Sequence, residues 1–309
     1  MGIVSRVYIK KFVYRYDKEV GIPYYSYTDF EGLNRESFSF NNSKGIEIHY
    51  FYYYYANYKK DKIIFFCPGL GPGHAAYMAE IETLAKRGYK VLTIDYTGCG
   101  ESKGKYLGSL NNPACDVDEL LNLLSIQEEI IMMGHSLGGY TSLKIASKRQ
   151  EIKKIVVMAP ILDIEAMVLR ASKSNFITSG VMRYENKVGG EYAKINLPQF
   201  LKNAEDRILF IQSVDDQMVP YETSLKIAES MDNPNIEIIK MNNRKHNPNY
   251  TEAAVNYMNE VFGGYNRRLM DHKIKDDQER IEYFKNVSLA RLTEQDQVLF
   301  DKIVKFIEN

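Results

Sequence analysis

The chain has 309 residues, 45% of them hydrophobic, enough to bury one large core and still carry an insertion or an extension. Forty Lys and Arg balance 40 Asp and Glu, so no net positive field draws the protein to nucleic acid or to an anionic surface, which argues against polyanionic partners. The three cysteines, Cys67, Cys99 and Cys115, form no C-x-x-C pair, and their odd number fits a reducing compartment better than a disulfide scaffold.

The opening residues, MGIVSRVYIKKFVYRY, interrupt every apolar run with Arg, Lys or Tyr. No signal-peptide core is present, and cytoplasmic residence is the expectation. Met1-Gly2 begins like a myristoylation signal, but Arg6 stands where Ser or Thr is needed. No stretch of about 18 apolar residues occurs, so no stable membrane insertion is expected. Residues 1–45 are Tyr-rich without strong periodicity and read as an N-terminal extension. Tyr24, Tyr25, Tyr27 and the run Tyr52 to Tyr55 are read as packing aromatics rather than as a carbohydrate platform.

From about residue 46, short apolar runs alternate with segments of helical spacing. The predicted strands are Ile46 to Tyr54, Lys62 to Cys67, Lys90 to Asp95, Glu129 to Met133, Lys154 to Met158, Arg207 to Gln212 and Ile236 to Met241. Between them, Tyr77 to Arg87, Pro113 to Leu124, Gly138 to Lys148, Tyr221 to Ser230 and Thr251 to Val261 have helical spacing. That alternation predicts an α/β protein with a mainly parallel central sheet flanked by helices, built from residues 46–160 and 204–263. Residues 161–203 separate two strands by far more than an ordinary connection and read as a lid or cap. They open with the amphipathic run Ile161, Ile164, Met167 and Val168, then turn polar from Ser172 to Ser179. After Gly263-Gly264, residues 264–309 read as a charged, helical C-terminal extension. Thr293 is its expected N-cap, and Leu299, Ile303, Phe306 and Ile307 its buried face.

The most informative segment is Glu129-Ile-Ile-Met-Met-Gly134-His135-Ser136-Leu137-Gly138-Gly139, an apolar strand that runs into G-x-S-x-G with a helix immediately behind. That is the context of a nucleophile elbow. A serine hydroxyl is a weak nucleophile and must project from a sharp turn towards a base, and the tight backbone excludes side chains at Gly134 and Gly138. The helix behind Ser136 supplies free N–H groups and partial positive charge where an oxyanion would form. Ser136 is therefore the candidate nucleophile.

Three further stretches carry a family resemblance: Pro68-Gly-Leu-Gly-Pro-Gly-His-Ala-Ala-Tyr77, Leu84-Ala-Lys-Arg-Gly-Tyr-Lys-Val91 and Asp95-Tyr-Thr-Gly-Cys-Gly-Glu-Ser102. Together with the elbow they resemble the α/β-hydrolase superfamily, in its monoacylglycerol-lipase-like and serine-aminopeptidase-like branch. The likeness covers residues 60 to 160 well and 204 to 262 more loosely. It departs at Pro68, where the family usually has His, and at Thr97, where it has Arg. The resemblance implies the α/β-hydrolase fold, with a lid inserted after the sixth core strand, Lys154 to Met158.

In that fold the catalytic residues run Ser, acid, His along the chain. Among five histidines, this order removes His49, His74 and His135, while His272 lies in the charged tail. His246, in the loop after Ile236 to Met241, is where the family places its base. The acid should follow Arg207 to Gln212, where Asp215-Asp216-Gln-Met-Val219-Pro220 is similar to the family's D-x-x-V-P and selects Asp216. Asp215 is its near rival and Asp163, after Met158, a more distant one. The resemblance also implies an oxyanion hole made by the backbone N–H groups of Leu70 and Leu137. His74 shares the Gly-rich loop, with substrate contact and loop packing both open.

The expected activity is that of a serine hydrolase acting through an acyl-enzyme on a small or lipid-like carboxylic ester, with no cofactor and no metal. Acyl transfer, thioester cleavage and aminopeptidase activity use the same three residues, and a non-catalytic binding protein on the same fold is the reading of another class. Nucleotide binding fails on spacing, because Gly69, Gly71 and Gly73 give G-x-G-x-G without the G-K-S/T or G-x-x-G that cradles phosphate.

Overall fold

The computed structural model describes residues 2–309. Eight strands form one sheet: β1 (Asn34–Asn41), β2 (Glu47–Tyr54), β3 (Lys62–Cys67), β4 (Lys90–Ile94), β5 (Glu129–His135), β6 (Lys154–Met158), β7 (Arg207–Ser213) and β8 (Ile236–Met241). Their spatial order is β1-β2-β4-β3-β5-β6-β7-β8. The β1–β2 and β2–β4 pairs are antiparallel, and every pair from β4 to β8 is parallel. The central strands β3 and β6 are buried along nearly their whole length, as continuous apolar runs must be when helices cover both faces.

The helices in chain order are α1 (Ile3–Phe12), α2 (Met78–Lys86), α3 (Asn112–Leu123), α4 (Leu137–Ala146), α5 (Ile164–Ser172), α6 (Asn175–Val188), α7 (Leu197–Asn203), α8 (Leu225–Glu229), α9 (Glu252–Met270), α10 (Asp277–Phe284), α11 (Leu289–Leu292) and α12 (Gln297–Glu308). On one face of the sheet, Phe65, Met132, Val157 and Phe210 pack in a single core with Val117, Leu143, Ile164 and Val181 from α3 to α6. On the other, Phe66, Met133, Val156 and Leu209 meet Ile81 and Leu84 of α2 and the apolar face of α12. No helix among the described residues is long and apolar enough to cross a membrane.

Four sequence expectations shift. Residues 34–41, assigned to the N-terminal extension, form strand β1: its polar, mostly exposed pattern hides it, and it is held by its ladder with β2 and by Phe38 stacked on Tyr50. The boundary at Gly263-Gly264 falls inside α9, which runs on to Met270 with Gly264 pressed against the Tyr283 hydroxyl. Asp296, not Thr293, caps α12 by accepting from Leu299 N–H, while the Thr293 hydroxyl donates to the Leu289 carbonyl at the end of α11. The helical run from Tyr221 breaks at Ser224, whose backbone leaves the helical region and whose hydroxyl donates to the Pro160 carbonyl at 2.6 Å.

The insertion folds as the hairpin α5–α6 followed by α7. Glu185 of α6 is fully buried and accepts hydrogen bonds from Tyr8 Oη (2.7 Å), Ser109 Oγ (2.5 Å), Leu110 N (3.2 Å) and Asn111 Nδ2 (2.9 Å). One carboxylate thus ties the insertion to α1 and to the loop before α3, and with four donors its burial is compensated. Lys144 of α4 donates to the carbonyls of Tyr192 and Ile195, both at 2.7 Å, and fixes the segment after α6.

Because α12 supplies much of one sheet face, its removal from the core should be costly. Phe300 is completely buried there. Phe300→Ala is expected to destabilise the fold by about 3–5 kcal/mol in urea unfolding, the usual range for truncating a core phenylalanine. A change under 1 kcal/mol would show that α12 is peripheral.

Candidate active site

The site is placed by the strand order. From β3 the chain crosses to β4 on one side of the sheet and later returns to β5 on the other, so β3 and β5 are neighbours whose following loops diverge. A crevice at the carboxyl ends of the strands opens at such a reversal. Cys67 and Gly134 are paired at that end, which brings the Gly-rich loop from Pro68 and the elbow at Ser136 side by side.

Helix α4 begins one residue beyond β5. A side chain at Gly138 would collide with the Cys67 carbonyl, and one at Gly134 with the backbone of Gly138. Both glycines of the motif are there because the first turn of α4 lies directly on the ends of β3 and β5. Ser136 is left at φ 55°, ψ −116°, a region that costs a residue with a side chain on the order of 1–3 kcal/mol. Its backbone is held there by donation to Met158 O at 2.8 Å and by acceptance from Tyr140 N at 3.0 Å. Leu137 is the first residue of α4, where backbone N–H groups have no intrahelical acceptor. Leu70 sits in the facing loop and is partly exposed, and its neighbour Gly69 lies against the Ser136 side chain.

His246 and Asp216 are brought together across 30 residues of chain: His246 Nδ1 lies 2.8 Å from Asp216 Oδ2. The other carboxylate oxygen, Oδ1, accepts from Met218 N (2.9 Å) and Val219 N (3.0 Å), so the buried carboxylate is fully engaged. With Nδ1–H donated to Asp216, Nε2 of His246 carries the free lone pair. Asp215 points elsewhere, accepting from Lys245 N at 3.3 Å and pairing with the Lys245 ammonium at 3.5 Å. Asp163 caps α5 through Ala166 N at 2.9 Å. Neither rival is hydrogen-bonded to His246.

His74 is buried, with Nδ1 2.8 Å from Asp95 Oδ1 and its ring 3.9 Å from that of Phe51. Those contacts commit it to holding the loop. Among the described residues, no group of three or more His, Cys, Asp or Glu side chains is placed to hold a metal.

Chain order set His135 aside as a base, and its actual place was missed. Its Nε2 lies 2.7 Å from the His246 carbonyl oxygen and its Nδ1 2.9 Å from the Tyr77 hydroxyl, and its ring is 4.7 Å from the His246 ring. The contact presses the His246 loop onto the residue that precedes Ser136. The variable position of G-x-S-x-G was the signal available, since a histidine there has two ring nitrogens to satisfy.

Burial, with the neighbouring His246 second, pushes the His135 imidazole down to about 3 from its ordinary value near 6.5. In the unfolded chain it binds a proton below about 6.5, so its contribution to stability is full above that pH and is lost as pH falls from there towards 3. The His135 ring resonances are therefore expected not to titrate between pH 7 and about pH 4 in NMR spectra of the folded protein. A midpoint near 6.5 would contradict the buried, neutral ring.

Residues 58–190 match the family described as serine aminopeptidase, S33. A protein of Agrobacterium fabrum named as a carbamate hydrolase, RutD, is 23% identical over 253 residues, which are 68% of this chain and 92% of that one. The human mitochondrial palmitoyl-protein thioesterase ABHD10 is 25% identical over 200 residues, 57% of this chain and 64% of that protein. Among solved structures, an esterase of Pyrococcus furiosus superposes with TM-score 0.59 at 18% identity, covering 89% of this chain and 97% of that one. The Est1E protein of Butyrivibrio proteoclasticus, solved with ferulic acid bound, gives 0.55 at 18% identity over 76% and 99%. With the sheet order, the elbow and the matched segment in agreement, the chain is a hydrolase with the α/β-hydrolase fold, similar over residues 58–190 to the serine aminopeptidase, S33 family.

Proposed function

We propose that the protein is a serine hydrolase that cleaves a small or lipid-like carboxylic ester through an acyl-enzyme, with Ser136 as nucleophile, His246 as base and Asp216 as the acid that orients it. The observation that carries this reading is the Asp216–His246 hydrogen bond, formed by a buried carboxylate whose remaining acceptor sites are taken by backbone N–H groups.

In this reading, His246 Nε2 takes the Ser136 proton as Oγ attacks the ester carbonyl, and Asp216 stabilises the imidazolium that results. The oxyanion of the tetrahedral intermediate is received by the N–H groups of Leu137 and Leu70 at the positive end of α4. His246 then returns the proton to the leaving alcohol. Water, activated by the same imidazole, cleaves the acyl-enzyme and regenerates Ser136. The α5–α6 hairpin serves as the cap over the acyl side. Glu185 anchors its far half and Lys144 the segment that follows it, while Phe176, Ile177 and Leu169 near the hairpin turn are exposed. The substrate is a small molecule, and the chemistry calls on no cofactor.

Ester cleavage is favoured because intracellular members of this branch are most often esterases or lipase-like, an analogy of family rather than of geometry. The similarity to ABHD10 and RutD makes thioesters and carbamates the competing substrates.

The test is a panel of p-nitrophenyl esters of graded chain length, beside acyl thioesters and aminoacyl amides, assayed with wild type and Ser136→Ala. Ester turnover is expected to fall by on the order of 10⁶ in the variant. Retention of more than a small fraction would remove Ser136 from the mechanism, and turnover of amides alone would replace the ester reading.

The acid is tested separately. Asp216→Asn is expected to lower turnover by about 10⁴, because an amide cannot hold the productive imidazole tautomer. Asp215→Asn, which touches only Ser213 and Lys245, should leave it nearly unchanged. Equal, mild losses in both variants would return the role to Asp163.

A further inference from the structure

We propose that Tyr77 and His135 are positioning residues that couple the Gly-rich loop after β3 to the backbone of His246, so that the oxyanion donors, the nucleophile and the base are set by one continuous contact chain.

The chain is built from four observations. The Tyr77 hydroxyl is packed against Gly69 so closely that no side chain fits at that position, and a Cβ there would also meet the His135 carbonyl and the Ser136 side chain. The Tyr77 hydroxyl also lies 2.9 Å from His135 Nδ1. His135 Nε2 lies 2.7 Å from the His246 carbonyl oxygen. His246 Nδ1 in turn meets Asp216 at 2.8 Å.

The proton positions follow from the acceptors. A carbonyl oxygen only accepts, so His135 Nε2 carries a proton and donates it to His246. Burial keeps the imidazole neutral, which leaves Nδ1 as an acceptor. Burial also raises the Tyr77 phenol, so it is protonated and donates to Nδ1. Each bond from Tyr77 through His135 to His246 then matches a donor to an acceptor, and the opposite His135 tautomer would leave Nε2 and the His246 carbonyl oxygen as two acceptors facing each other.

The consequence is geometric. His246 stands on the loop after β8, away from the elbow in sequence, and loops are the least rigid place to hold a base. The His135 bond pins the main chain of that loop, at His246 itself, to the residue beside Ser136. Asp216 orients the ring about its own axis, and His135 sets where the ring is carried. A displacement of about 1 Å at such a point costs on the order of 10²-fold in rate. His135 and Tyr77 contact none of the reacting atoms in this scheme, and their effect passes through His246 and Gly69.

This inference rests on the proposed Ser136–His246–Asp216 mechanism, and its test includes one measurement independent of activity. Three variants are compared with wild type: Tyr77→Phe, which removes only the hydroxyl; His135→Met, which removes the donor; and His135→Gln, whose amide nitrogen reaches the position of Nε2. Steady-state kinetics on the best ester are expected to show kcat lowered about 10- to 100-fold in Tyr77→Phe and His135→Met, with KM nearly unchanged. His135→Gln should recover most of the lost kcat. In parallel, the downfield proton resonance of His246 Nδ1–H is expected in wild type and in Ser136→Ala, shifted or broadened in His135→Met, and restored in His135→Gln. Wild-type kcat together with an unaltered resonance in His135→Met would overturn the proposal, as would equal losses in Met and Gln. If His135→Met fails to fold, Tyr77→Phe decides by the same two readouts. Full activity of Ser136→Ala would instead reject the mechanism while leaving the resonance test of His135 intact.

Discussion

Helix α4 begins directly over the ends of β3 and β5, and it can do so only because Gly138 presents no side chain to the Cys67 carbonyl. The rest of the site depends on that close approach. With a Cβ at Gly138 the first turn of α4 would lift, and the connection from His135 to Leu137 would no longer need a single residue at positive φ. Ser136 would then lose the projection that sets it apart from an ordinary surface serine. The strain at Ser136 is offset by backbone hydrogen bonds to Met158 and Tyr140, from two separate elements, so it is imposed by the packed structure rather than by local preference.

The loops around the elbow are held by buried polar groups with several partners each. Asp95 accepts from His74 and Glu101, Glu185 from four donors, and Asp216 from two backbone amides and His246. Burying a carboxylate is costly unless its oxygens are engaged, and here the engagement fixes loop geometry. Glu80 is the contrasting case: burial pushes its carboxyl up to about 7. It accepts from Asn249 Nδ2 at 3.0 Å, and Gln295 accepts from the same amide at 2.9 Å. The segment after residue 264 therefore reaches back to the loop that carries His246, in addition to covering a sheet face with α12. It is part of the hydrolase body.

The two departures from the family pattern have structural explanations. Thr97 donates its backbone N–H and its hydroxyl to buried Asp116, at 2.7 and 3.0 Å, and Asn42 joins the same carboxylate at 3.0 Å. The polar interior at that corner is satisfied without a guanidinium. Pro68 offers only its carbonyl, which accepts from the buried Tyr96 hydroxyl at 3.0 Å and steadies the start of the Gly-rich loop.

The sequence alone determined what depends on local periodicity and on short-range sterics. Buried parallel strands such as Lys62 to Cys67 and Lys154 to Met158 are continuous apolar runs, and their bounds were legible to the residue. The elbow was legible because strand, G-x-S-x-G and helix are contiguous, and the Asp216–His246 hydrogen bond was anticipated because family spacing picks each residue from its neighbours. Strand β1 was hidden because an edge strand of polar residues is stabilised by its partner's ladder and not by burial. The cap of α12 was misplaced by three residues because the Thr293 hydroxyl is used at the end of α11, where it donates to the Leu289 carbonyl, and Asp296 is left to accept from Leu299 N–H. The contact from Tyr77 through His135 to His246 joins residues 58 and 111 positions apart. No local pattern encodes it, because a hydrogen bond between separate loops exists only once the sheet has brought their ends to the same place.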